Sequence, residues 1–229
     1  MNKYLELVRV NEWYKNITVI IGFIFALILF DQNISYLNLI KIIIITGLAC
    51  FVSSSNYIIN AITDVNQDKK HILKKLRPLP RKIIDINQSK VLIQILIVVP
   101  LLISLLFFSI HTTLFLLALF IAAILYNVKP IRLKDIVYLD VISESINNPI
   151  RFLIGWSILT NDLPPAIILL LVWCAAGFLM TQKRIKEITD YPKSRNVFSD
   201  YSFNSLNTAK IIYFLLTLIT LLFFILGVI

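Results

Sequence analysis

The chain has 229 residues, 58% of them hydrophobic and only 15% charged, with a mean hydropathy of +0.83. A soluble domain is nearer half apolar and one quarter charged, so this composition excludes that class and indicates an integral membrane protein. The net charge of +9 would suggest nucleic acid in a soluble protein, but here the cations occupy short loops between apolar runs, where they read as topology signals, and no nucleic-acid partner is expected.

Apolar runs recur near 16–31, 38–62, 90–110, 113–127, 136–159, 163–182 and 209–229. A crossing helix needs about 20 apolar residues, so the pattern predicts an all-α, polytopic bundle of about seven spans forming one membrane-embedded domain over residues 1–229. The first run begins near Ile17 with no small-residue cleavage site after it and reads as a retained span. Cys50 and Cys174 lie inside apolar runs and read as packing residues, and five isolated glycines build no phosphate loop.

With seven alternating spans, the lysines and arginines fall on one side in four groups: 3–15, 69–90, 129–134 and 183–210. Lys41 faces the other side and Arg151 lies inside the fifth run. The bias predicts a cytoplasmic N-terminus, cytoplasmic functional loops and a C-terminus on the opposite side.

Four constellations lie at or near that face. Asn60, Asp64 and Asp68 are spaced four apart, which on a helix aligns three oxygen ligands over about 12 Å. Such a set suits Mg²⁺, which takes one or two carboxylates plus substrate phosphates; the plainer alternative is a solvated helix end. His71, Lys74, Lys75 and Arg77 follow, as phosphate binders or as topology and lipid-headgroup cations. In the fifth run Asp140, Glu144, Asn147 or Asn148, and Arg151 share a stripe. They form either the polar wall of a cavity or an internal ion pair, with Asp140 or Glu144 joined to Arg151. At the sixth helix end, Glu187 and Asp190 are candidates for a second metal site and Lys183 and Arg184 for phosphate, while Tyr126, Lys129, Arg132 and Lys134 mark a further polar helix end.

These motifs resemble the UbiA-type membrane prenyltransferase superfamily. Its first acidic motif is similar to Asn60-x-x-x-Asp64-x-x-x-Asp68, and a further helix end is similar to YNVKPIRLK, 126–134. Three stretches resemble the decaprenylphosphoryl-phosphoribose synthase-like branch: RVNEWYKN (9–16), NAITDVNQDKKHILKKLRP (60–78) and GFLMTQKRIKE (177–187). Two departures stand out: Ala61 replaces the acid usual after the motif asparagine, and about seven spans are read where the family commonly has nine helices, as in a member lacking the last two.

The resemblance implies a transferase that uses Mg²⁺, held by Asn60, Asp64, Asp68 and Glu187 with Asp190 nearby. The branch implies transfer of a phosphoribosyl group from 5-phosphoribosyl 1-diphosphate to a membrane polyprenyl phosphate. Asp64, Asp68, Arg151 and Lys183 are the expected catalytic residues. Lys15, Asn16, His71, Lys74, Lys75, Arg77, Tyr126, Lys134, Asp140, Glu144 and Arg184 are the expected substrate contacts. Prenyl transfer from a diphosphate to an aromatic or other small acceptor is the second reading, and an inactive lipid-binding homologue the third.

Overall fold

The computed structural model describes residues 3–31, 33–192 and 200–227. Helices run as α1 (Lys3–Val8), α2 (Ile17–Leu29), α3 (Tyr36–Thr63), α4 (Val65–Asp68), α5 (Ile86–Phe107), α6 (Ile110–Asn127), α7 (Leu139–Trp156), α8 (Ala166–Asp190) and α9 (Phe203–Ile225). Short 3₁₀ turns cover Val10–Asn16, Lys74–Leu76 and Leu133–Asp135, and no strand occurs among the described residues.

Polar side chains set the helix starts. Ser35 accepts from the Asn38 N–H at the head of α3, Ser109 from Thr112 at α6, and Asp85 with Gln88 closes a capping box on α5. Six helical stretches are long and apolar enough to cross a bilayer: 3–29, 36–63, 86–107, 110–127, 166–190 and 203–225. The seventh long helix, α7, carries Asp140, Glu144 and Arg151. It packs against α2, α6 and α8, which shield those charges from lipid. The seven apolar runs of the sequence thus correspond to the seven long helices, with shifted ends. The last helix starts at Phe203 rather than near 209, and α1 with its 3₁₀ turn extends the first span toward the N-terminus.

Helix length explains why the polar motifs cluster. At 1.5 Å per residue the 28-residue α3 is about 42 Å long, and a hydrocarbon core is about 30 Å thick. That excess leaves length for its last turns, which carry Asn60, to extend past the apolar layer. The 25-residue α8 leaves the same room for Lys183–Asp190.

At apolar depth Val19, Phe23, Ile45, Leu48, Val52, Leu116, Leu119 and Ile154 form the main core. The tightest seam joins α2 to α7. A Cβ on Gly22 would lie 2.0 Å from the Phe152 carbonyl oxygen, and one on Gly155 1.7 Å from that of Val19. Only glycine permits backbones this close.

Candidate active site

The first acidic motif does not stay on one straight helix. α3 ends at Thr63, Asp64 caps it, and α4 restarts at Val65. The Asp68 N–H still donates to the Asp64 carbonyl at 2.8 Å, so the turn continues while the two carboxylates take different partners.

Asp64 is buried, and its Oδ1 accepts from Lys134 Nζ at 2.7 Å and Arg132 Nη2 at 2.9 Å. Lys134 is 1% exposed, and its three N–H groups are shared between Asp64 and the oxygens of Asn60 (Oδ1, 2.9 Å), Thr63 (Oγ1, 3.2 Å) and Asn127 (Oδ1, 3.0 Å). A buried ammonium needs such saturation. The segment after α6 supplies it, with Arg132 in the left-handed region (φ 41°) just before the 3₁₀ turn that carries Lys134. Arg132 Nε is held by Asp135 at 2.6 Å. Asn127 in turn donates to Asn56 Oδ1 at 2.8 Å.

Asp68 pairs through Oδ2 with Arg77 Nη1 at 2.9 Å. His71 organises the loop between them: its Nδ1 accepts from the N–H groups of Leu73 and Lys74. Burial, and then the Lys74 charge, push the His71 imidazolium below the usual histidine range. Its ring lies 5.0 Å from that of Tyr191, at the end of α8, and feels the Glu187 charge, so the first and second acidic motifs meet here. Lys75 is exposed.

The second motif is arranged differently. Asp140, fully buried, pairs with Arg184 Nη2 at 2.7 Å, and Arg184 also binds Glu187. Tyr201 donates its hydroxyl to Asp140 and accepts the Tyr138 N–H at 2.8 Å; burial, with the bond to Asp140, pushes this phenol up. Arg184, expected as a phosphate ligand, is 1% exposed inside this clasp. Glu187, expected as a metal ligand, is bound to Arg184, and Asp190 is exposed at the helix end.

The expected pairing of Arg151 with Asp140 or Glu144 is not the one observed. Arg151 donates through Nε to Asn16 Oδ1 at 2.9 Å and through Nη2 to Ser53 Oγ at 3.5 Å. The reason is depth. Asp140 sits near the start of α7, eleven residues or about 16 Å above Arg151, and turns to Arg184 instead. Asn16 is itself fixed by Ser53 and Cys50. Glu144 is the acid whose charge reaches Arg151, Lys15 and Lys183 together. Lys15 pairs with Glu12 at 2.5 Å, and Lys183 is solvent-accessible. Tyr126 is buried at the end of α6.

The sequence reading did not single out Arg132 as a partner of Asp64, nor Asn127, Thr63, Ser53, Tyr57 or Tyr201. Asn127 and Arg132 lie within the YNVKPIRLK stretch, where their type was a usable signal. Tyr201 had none, because its role depends on Asp140 and Tyr138, 61 and 63 residues earlier in the chain. Lys193 and Arg195, counted among the loop cations, lie outside the described residues.

The donor set fits a hard cation in chemistry. Asn60 contributes an amide oxygen and Asp64 and Asp68 contribute carboxylates. The hydrogen bonds and ion pairs of Asp64 run through Oδ1 and those of Asp68 through Oδ2, so each keeps a second oxygen. Among the described residues no three His, Cys, Asp or Glu side chains converge into a ligand cluster. The Asn60 amide oxygen already accepts from Lys134 Nζ, so an ion here would depend on the second oxygens of Asp64 and Asp68 and on oxygens from its substrate.

Comparison with known proteins agrees with this architecture. No curated protein matches the chain in sequence. A solved UbiA homologue from Archaeoglobus fulgidus, bound to GPP and Mg²⁺, is similar with a TM-score of 0.77 at 20% identity, covering 96% of this chain and 76% of that one. The same homologue bound to DMAPP and Mg²⁺ gives 0.75 at 19%, covering 97% and 85%. A structure described for digeranylgeranylglyceryl phosphate synthase gives 0.73 at 25%, covering 98% and 77%. The UbiA prenyltransferase family profile matches residues 17–229. The chain is therefore an integral membrane transferase that belongs to the UbiA prenyltransferase family.

Proposed function

We propose that this protein transfers a 5-phosphoribosyl group from 5-phosphoribosyl 1-diphosphate to a polyprenyl phosphate, with Mg²⁺, at the cytoplasmic membrane face. The observation that carries the reading is the balance of charge between the two acidic motifs. Asp140 and Glu187 are both taken up by Arg184, while Arg77, Arg132 and Lys134 contact the carboxylates of the first motif and Lys15 and Lys183 lie within reach of the Glu144 charge. A site richer in cations than in available carboxylates suits a donor that carries a phosphate beyond its diphosphate.

Asn60, Asp64 and Asp68 would hold the ion, which when bound supplies Lewis-acid neutralisation of diphosphate oxygens. The bond that breaks joins the anomeric carbon to the diphosphate oxygen. The bond that forms joins that carbon to a phosphate oxygen of the acceptor, and diphosphate leaves. The acceptor is already an anion, so no residue has to remove a proton. Lys134 and Arg132 fix the Asp64 carboxylate, Arg77 fixes Asp68, and Lys183 faces solvent where a phosphate arrives. Catalysis is then positioning and charge stabilisation. The apolar helices accommodate the lipid tail.

Prenyl transfer is the second reading, favoured by the neighbours bound to GPP and DMAPP with Mg²⁺. Radiolabel transfer from 5-phosphoribosyl 1-diphosphate into polyprenyl phosphate tests the choice. Mg²⁺-dependent labelled lipid, lost in Asp64→Asn, supports phosphoribosyl transfer. No label from folded protein, with product formed from a prenyl diphosphate and an aromatic acceptor, sinks it in favour of the second reading.

A further inference from the structure

A cavity of about 340 Å³ lies behind the first motif, between α1, the 3₁₀ turn after it, the end of α3 and the 77–79 loop. That volume is at the small end of ligand pockets, roughly 300–1,000 Å³. Glu6, Arg9, Asn11, Glu12, Ala61 and Arg77 supply its chemistry. Two features single it out.

The first is an unsatisfied cation. Arg9 Nη2 is buried and makes no hydrogen bond among the described residues. The Arg9 guanidinium lies 5.4 Å from the centre of the Tyr57 ring, which fixes its plane without engaging that nitrogen. Buried guanidinium nitrogens without acceptors are costly and call for explanation.

The second is convergence of like charge. Arg77 exerts the strongest charge interaction felt by Arg9, and it is repulsive. Glu12, the nearest compensating acid, is already paired with Lys15 at 2.5 Å. At position 61, where a carboxylate on α3 would enter the same space, the chain has alanine. Two guanidinium groups thus face one cavity, with Glu12 and Asp68 already engaged by Lys15 and Arg77 and one Arg9 nitrogen left without an acceptor.

We propose that this cavity is a phosphate-monoester subsite. Arg9 and Arg77 take the phosphate, and Glu6 and Asn11 offer hydrogen bonds to hydroxyl groups on the same ligand, as a sugar phosphate requires. Arg77 pairs at the same time with Asp68, so the subsite adjoins the metal motif. It would hold the 5-phosphate end of the donor, an assignment of role that rests on the phosphoribosyl reading.

Ribose 5-phosphate keeps the monoester and lacks the diphosphate, so it probes this cavity alone. The full chain in nanodiscs of neutral lipid would be titrated with it, with Mg²⁺ and with chelator. The expected result is saturable binding that does not depend on Mg²⁺ and survives in Asp64→Asn. It should weaken at least tenfold in Arg9→Gln and in Ala61→Asp, which places a carboxylate beside the arginines. Arg9→Lys, keeping the charge without the fork, should fall between. Thermal unfolding of each variant checks that it is folded. A parallel arm replaces part of the neutral lipid by phosphatidic acid. Displacement of the sugar phosphate in an Arg9-dependent way assigns the same chemistry to a lipid phosphate.

Unchanged binding in Arg9→Gln and Ala61→Asp overturns the proposal. So does equal loss in Asp64→Asn, which would put the ligand at the metal motif instead. If ribose 5-phosphate binds as expected but no phosphoribosyl label reaches lipid, the subsite stands and the transfer reading falls.

Discussion

The two acidic motifs use the same residue types to opposite ends. At the first, Asp64 and Asp68 are each held through one oxygen by cations from other segments, and each keeps a second oxygen. At the second, Asp140 is saturated by Arg184 and Tyr201, and Glu187 is drawn into the same clasp. One arrangement leaves carboxylate chemistry available. The other consumes it to fasten α7, α8 and the segment before α9. An acidic motif near a membrane face is therefore not evidence of a ligand site until its countercharges are counted.

That contrast is open to attack. The largest effect expected is on folding: Arg184→Ala leaves Asp140 buried without its cation, at a cost of about 3–5 kcal/mol. The unfolding midpoint in detergent should fall sharply, whereas Asp68→Asn, whose partner Arg77 is part-exposed, should move it far less. Equal shifts in the two variants would erase the distinction.

Next comes activity. Asp64→Asn should reduce turnover about 10²–10³-fold, the usual scale for losing one preorganised charge contact. Assay with saturating Mg²⁺ checks this, and activity within a few-fold of wild type would remove the first motif from the chemistry.

Smaller still is Tyr201→Phe. It removes one donor to buried Asp140 and one acceptor for the Tyr138 N–H, about 1–2 kcal/mol of stability. The loss should be confined to unfolding measurements, with the apparent affinity for Mg²⁺ unchanged.

The smallest effect is one of pH. Neutral His71 accepts two backbone N–H groups, and its folded pKa lies below the ordinary histidine value, so the unfolded loop binds the proton more readily. Its contribution is fully present above about pH 6.5 and is lost as pH falls through the lowered folded value. Limited proteolysis across 69–77 should accelerate on acidification in the wild type, and His71→Gln should flatten that dependence.

Much of the fold was legible because lipid imposes a simple rule: long apolar runs must be helices. The seven runs correspond to seven long helices, and cations such as Lys74, Lys134 and Lys183 cluster at helix ends on one face. Asn60, Asp64 and Asp68 were legible as a set because their spacing is local. Partnership was not legible. Whether Arg151 meets Asp140 depends on how deep each sits and on what α8 and α2 present. That is a matter of packing between segments far apart in the chain, 135 residues for Arg151 and Asn16. Stripe position on α7 alone made Arg151 and Asp140 look like neighbours. The short α1 escaped notice because six residues give too little periodicity to read.

The glycine seam between α2 and α7 has a consequence for how the molecule works as a machine. Gly22 receives Phe152, and Gly155 receives Val19, each glycine meeting the residue three positions before the other. The contact works like a key cut for one notch: sliding by a residue would drive Ile154 or Trp156 into the space that only Gly155 fits. The pair therefore has one registration. Asn16 and Arg151 are carried on these two segments, so one registration holds their backbones at the separation that the 2.9 Å contact bridges. Any opening that admits a lipid tail must pivot on other contacts, leaving α2 and α7 as the fixed frame.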